Sequence, residues 1–283
     1  IGFYVTQFRN VYYLSSISSS YGGEYFANIW RGVGVVFSRP FDRFRRLEWA
    51  LNAYTISSKT FGLDFYLDPF NYYGYGTKER DLTKFGTSYF VGPELALVYD
   101  NTAYGYTGPV DGGRYRLGVR QFFGELSYTE LLADWRKYML FWQRVTLASR
   151  VIAGTRWGSD PQTFYVGGPY TFRGAGYGDM RGNTILLGNF ELRFPLIDHL
   201  VMGWPLPVYL RGIGGVLFFD LGASWYNDES FQPFTGANTS FFKFKNARAA
   251  YGFGTRMNLG YFIIKLDFAK SLDHFESAYY YYK

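Results

Sequence analysis

The segment Tyr165–Arg181, YVGGPYTFRGAGYGDMR, carries five Gly in 17 residues, with Arg173 among them. Three chemistries suit such a stretch. It can be a flexible surface loop. It can be a cradle for phosphate, although that arrangement needs a helix to follow directly, and here a strand-like segment follows. It can also fold back onto the protein and dock its arginine on carboxylates. The next two apolar-alternating segments offer Glu191 and Asp220, each on the polar face, and a shielded guanidinium favours bidentate contact with such groups. Nothing in the sequence assembles a catalytic centre. His199 and His274 stand alone, without a nucleophile or metal-ligand spacing. There is no Cys, which excludes thiol chemistry and disulfide staples. No metal or other cofactor is expected. Asp134, Arg136 and Tyr138 share one strand face at i, i+2 and i+4 and read as a polar ladder, as do Arg150, Lys265 and Asp267.

The elements that must position Arg173 follow from composition and periodicity. Tyr (28), Phe (29) and Trp (7) form 23% of the 283 residues, beside 34 Gly. Rings with a polar tip suit the two water–lipid boundaries of a membrane barrel. No stretch approaches the roughly 20 apolar residues of a membrane helix; Val216–Phe219 is already interrupted by Asp220. The net charge of +6 is scattered rather than clustered, which argues against nucleic acid as a partner. The sequence opens on strand-like Ile1–Leu14 without initiator Met or signal peptide, as a mature or trimmed product does.

Period-2 alternation dominates. In 185–196, Leu186, Phe190, Leu192, Phe194 and Leu196 oppose Asn189, Glu191 and Arg193. In 213–225, Ile213, Leu217, Phe219, Leu221 and Trp225 oppose Asp220, Gly222 and Ser224. About twelve such segments are predicted: 1–14, 24–38, 46–57, 87–100, 113–124, 128–142, 144–156, 183–196, 209–226, 245–258, 261–271 and 276–283. The fold class is all-β: a transmembrane, antiparallel, up-and-down β-barrel with lipid outside and a polar lumen. Long connections (58–86, 157–182, 227–244) fall on one side and short ones on the other, which makes the long ones external and both termini periplasmic. One connection, 197–208, is longer than this rule expects. The whole of 1–283 reads as one barrel, with 157–182 folded into its lumen and any upstream periplasmic domain outside the sequence. Tyr279–Tyr282 suits a membrane-interface girdle, a recognition surface or a closing seam.

At this point the sequence resembles the bacterial surface-antigen superfamily of outer-membrane barrels, the group of the Bam and Tam assembly subunits, two-partner secretion transporters and the chloroplast Toc channel. Phe172-Arg173-Gly174 resembles the family's Arg-Gly-aromatic loop motif, with Ala175 in the aromatic's place, and Gly167-Gly168 precedes it as in the family. Glu191-Leu-Arg-Phe-Pro-Leu196, Phe219-Asp220-Leu-Gly222, Tyr99-Asp100-Asn101-Thr102 and Gly112-Gly113-Arg114-Tyr115-Arg116 match in family order across roughly 87–271. The resemblance implies that Arg173 binds Glu191 and Asp220 inside the lumen, with Tyr177 standing in for the missing aromatic. Family barrels usually have sixteen strands behind substrate-receiving periplasmic domains, so this sequence is a piece of a longer protein or a reduced member. The spacing of Tyr21-Gly22-Gly23, Ser38-Arg39-Pro40-Phe41 and Arg46-Leu47-Glu48 also resembles barrels fused behind a TolB-like propeller.

Two functions follow as expectations. One is an outer-membrane insertase or translocase, not an enzyme, in which an unfolded protein client pairs with a lateral seam between the first and last strands. The other is an anchoring barrel that holds a periplasmic domain or envelope partner subunits at the membrane. A simple diffusion pore is disfavoured by a lumen filled with the 157–182 loop. Outer-membrane lipids are the surroundings in every case.

Overall fold

The computed structural model describes residues 1–16, 23–67, 75–142, 144–203, 208–235, 243–260 and 262–272. The long strands are β1 (Gly2–Ser16), β2 (Gly23–Pro40), β3 (Arg45–Leu67) and β4 (Tyr75–Asp100). A short β5 (Ala103–Gly105) precedes β6 (Gly108–Gly124), β7 (Tyr128–Phe141) and β8 (Val145–Gly158). The loop strands β9 (Phe164–Val166) and β10 (Met180–Gly182) come next, then β11 (Thr184–Met202) and β12 (Val208–Trp225). The series ends with the small pair β13 (Phe234–Thr235) and β14 (Lys243–Phe244), then β15 (Ala247–Asn258) and β16 (Ile263–Ser271). Hydrogen bonding follows chain order through the long strands, from β1 to β16, with β5 paired onto β6. Eleven of the predicted strands are present. The twelfth, 276–283, lies outside the described residues, as do His274 and the Tyr279–Tyr282 run.

Two expected connections are strand instead. Most of 58–86 belongs to β3 and β4, which reach Leu67 and resume at Tyr75. Its charges look like loop residues in the sequence, but they pair laterally: Lys59 Nζ lies 2.6 Å from Asp81, and Arg9 donates to Glu79 at 2.8 Å. Phe61, buried among them, stacks on Tyr25 at 5.5 Å. The long 197–208 connection also shrinks, because β11 extends to Met202 and β12 starts at Val208. The extension passes a bulge between Pro195 and Ile197, the kind of site where proline, lacking an N–H, is tolerated in a sheet. Two connections still depart from the alternation: β6 and β7 are joined by only 125–127, on the side of the long connections, and β4 and β6 by 101–107, on the side of the short ones.

The chain forms two compact units. The first comprises 1–38, 48–95 and 120–128; the second comprises 39–47, 96–119 and 129–283. Each exposes large apolar side chains at alternate strand positions, for example Phe3, Val5, Leu51 and Tyr89 in the first and Leu217, Phe219, Leu221, Phe253 and Phe268 in the second. Apolar exposure on this scale suits lipid rather than water. The opposite faces differ. In the first unit Ile56, Phe90, Phe122 and Tyr128 are buried together, with Trp30 and Tyr54 packed on them. The uniformly polar interior expected from alternation is absent there, because aromatic residues occupy both faces of these strands. In the second unit the inner face is charged, and it seats the Arg173 loop.

Candidate functional site

The site is assembled by register. On the inner face, Asn189 pairs across β11–β12 with Asp220, and Glu191 with Phe218. Asp220 pairs across β12–β15 with Ala250. On the other side of β11, Asn189 faces Arg150 of β8. Residues two apart share a face of a strand, so Asn189, Glu191 and Arg193 rise in a column beside Val216, Phe218 and Asp220.

The 157–182 loop enters this space as a small hairpin, with Val166 of β9 opposite Met180 of β10. Its tip is apolar on one side. Phe172, fully buried, packs with Ile152, Val166, Met180, Ile185, Leu187 and Ala250. Gly222 leaves room for this: a Cβ there would meet Phe172 and Met180 at 3.0 Å. The hairpin turns back at Gly167, whose φ of 136° L side chains rarely adopt, and where a Cβ would strike the Gly176 carbonyl. Gly168 N–H donates to the Ala175 carbonyl at 2.8 Å, and Gly174 sits against Ala250.

These contacts place Arg173 over its carboxylates. Its Nε and Nη2 donate to the two oxygens of Asp220 at 2.8 and 2.7 Å, and its backbone N–H reaches Asp220 at 3.2 Å. Nη1 donates to Glu191 Oε1 at 2.5 Å. The Asp220 side chain is fully buried and that of Arg173 is 6% exposed. The guanidinium lies 3.7 Å over the Phe218 ring, close enough for a cation–π contact. Phe218 is thus an aromatic neighbour of Arg173 on the inner face of β12. Tyr177, which the resemblance puts in the missing aromatic's place, is 60% exposed.

Sequence reasoning missed the rest of the network. Arg193 grips the second oxygen of Glu191 at 2.7 and 2.8 Å. Arg256 donates to both oxygens of Asp267 at 2.6 and 3.0 Å, and Asp267 approaches Arg173 at 3.7 Å. Three arginines thus face three carboxylates in a shielded space, a balanced set in which each charge has partners. Asp267 reads in the sequence as part of a polar ladder, without Arg256 as its partner. Their meeting depends on the β15–β16 register, which places Asp267 opposite Gly254. A second pin was also missed. Arg156 binds buried Glu130 at 2.6 Å, donates to the carbonyls of Gln162 and Thr163, and lies 3.7 Å over Phe164. Arg150 holds Asp134 at 2.8 Å and also reaches the Tyr170 carbonyl, so the Asp134–Arg136 ladder supports the loop. No cluster of metal-ligating side chains occurs among the described residues.

An antiparallel up-and-down sheet with apolar outer positions and an arginine-pinned loop on its inner face defines a loop-plugged membrane β-barrel. The profile of the Omp85 superfamily domain matches residues 3–279, and the chain belongs to that superfamily, whose barrels lie in the outer membrane. Among solved structures, the chain is similar to BamA of Haemophilus ducreyi, determined without POTRA domains 1–3. The TM-score is 0.55 and the identity 14%, over 97% of this chain and 67% of that one. No curated protein sequence matches the chain.

Proposed function

We propose that this chain is an outer-membrane barrel of the insertase or translocase type, non-enzymatic, which handles an unfolded polypeptide client. The observation that carries the proposal is the seat of Arg173 on Asp220 and Glu191. It fixes a loop on the inner face of the second unit. In this reading the client pairs as an added strand at a lateral seam between the first and last strands, both termini are periplasmic, and the braced loop stiffens the wall. The last strand, 276–283, lies outside the described residues, so the seam rests on the family reading. Replacing Asp220 with Ala and measuring barrel folding, loop position and assembly of client barrels in cells tests this. The expected result is a folded barrel with a displaced loop and impaired client assembly. Unimpaired assembly with the loop displaced would reject the loop's role.

A second reading is an anchoring barrel for a periplasmic domain or envelope partner subunits. The observation in its favour is the density of the loop's pins, from Arg156 through Arg150 to Arg173, which suits a permanently closed structure. Impaired assembly in the Asp220 variant favours the first reading over this one.

A further inference from the structure

A second insertion enters the same unit from the connection between two interior strands of the sheet, β4 and β6. Residues 101–109, running from the end of β4 through β5 into the first two residues of β6, form a strap. Its base is closed by Asn101, which donates to the Gly113 carbonyl at 3.0 Å and accepts from Gly113 N–H at 2.7 Å. Its arms pair as β5 and β6, Tyr104 opposite Pro109. Its tip reaches the end of β15, where Asn258 Nδ2 donates to the Tyr106 carbonyl at 2.6 Å. A cavity of about 1120 Å³ lies between the strap and the Arg173 loop, lined by Tyr106 and Pro109 from one and Tyr170 and Arg173 from the other.

One side chain touches both systems. Arg193 Nη1 donates to the Pro109 carbonyl at 3.0 Å, while its Nε and Nη2 hold Glu191 Oε2. The other oxygen of Glu191 accepts from Arg173. The guanidinium is planar and rigid, so its Glu191 edge and its Pro109 edge cannot be re-aimed separately. We infer that Arg193 is a positioning residue that couples the Arg173 loop to the 101–109 strap through Pro109, so that releasing either one loosens the other. If Arg173 leaves, Glu191 loses the donor on Oε1 and shifts toward Arg256, Arg193 turns with the carboxylate it still grips, and Pro109 loses its donor. Coupling of this kind is reciprocal.

The chain has no Cys, so one introduced thiol reports alone. Tyr104, 67% exposed on the strap, is replaced with Cys and spin-labelled in the full chain in lipid bilayers. Arg173→Ala is expected to raise the ratio of mobile to immobile label on the order of fivefold, the lower end of ordinary coupling between sites. Arg193→Gln is expected to raise it alone, and the double variant to add nothing further. Arg193→Lys, which keeps the charge but not the fork, is expected to behave as Arg193→Gln, and it serves in its place if that variant does not fold. An unchanged label in Arg173→Ala overturns the inference. So does an Arg173→Ala effect that persists in full in the Arg193→Gln or Arg193→Lys background.

Discussion

The inner faces of the two units are filled by different physics. In the first, rings do the filling: Trp30 meets Phe90 at 5.6 Å, Tyr54 meets Phe90 at 5.4 Å, Phe90 meets Phe122 at 5.5 Å, and Phe122 stacks on Tyr128 at 4.3 Å. In the second, the filling is a set of paired charges around Arg173 with an apolar pocket for Phe172. Ring packing is short-ranged and adaptable, so loss of one ring is felt mainly by its neighbours. A buried charge network fails differently, because removing one member leaves another uncompensated. The inner face of the first unit is therefore packed by rings, and that of the second holds a loop seated by charges.

The largest effect that can break this comparison is expected at the network. Arg173→Ala leaves Asp220 and Glu191 without their shared partner and should cost about 3–5 kcal/mol in reversible unfolding from lipid vesicles. A cost below about 1 kcal/mol would show that the loop is not held by these charges. A smaller effect is expected in the first unit, where Phe122→Leu keeps an apolar filler and loses chiefly the aromatic pairing, about 1 kcal/mol. A cost equal to that of Arg173→Ala would erase the distinction between the units. The smallest effect is local. In the turn between β2 and β3, Asp42 accepts from the backbone N–H groups of Phe44 and Arg45 at 2.7 and 2.8 Å. These bonds hold its carboxyl below its ordinary value of 3.8. With the folded value depressed, the contribution is fully present above 3.8 and is lost as pH falls through the lower folded value. An NMR titration of the Phe44 and Arg45 amides should show a midpoint below 3.8, and a midpoint above it would contradict the turn geometry.

Much of this was legible in the sequence, for reasons that differ by segment. Residues 185–196 announce their strand because one face is lipid-exposed and the other polar, and Leu186 and Phe190 are indeed exposed while Glu191 is shielded. The length of β3 and β4 was not legible, because the charges of Lys59 and Asp81 look like loop residues until the pairing of neighbouring strands is known. The aromatic interior of the first unit was hidden for a related reason: Phe90 and Phe122 have the same composition signature as lipid-facing rings such as Phe123. At the site, family motifs pointed to Arg173, Glu191 and Asp220. They did not point to Phe218, although it shares the inner face of β12 with Asp220, two residues away. Nor could they show Arg193 between loop and strap, since that contact joins residues 84 apart in the chain.

The central claim is that the seat of Arg173 on Asp220 and Glu191 holds the 157–182 loop inside the second unit. Ala175, partly buried beside the Phe172 cluster, gives the direct test. A cysteine placed there, the only thiol in the chain, is exposed to a membrane-impermeant maleimide in intact outer membranes, with and without Asp220→Ala. Slow labelling in the otherwise native chain and fast labelling in the Asp220→Ala variant is the predicted result. Equal labelling in the two would contradict it.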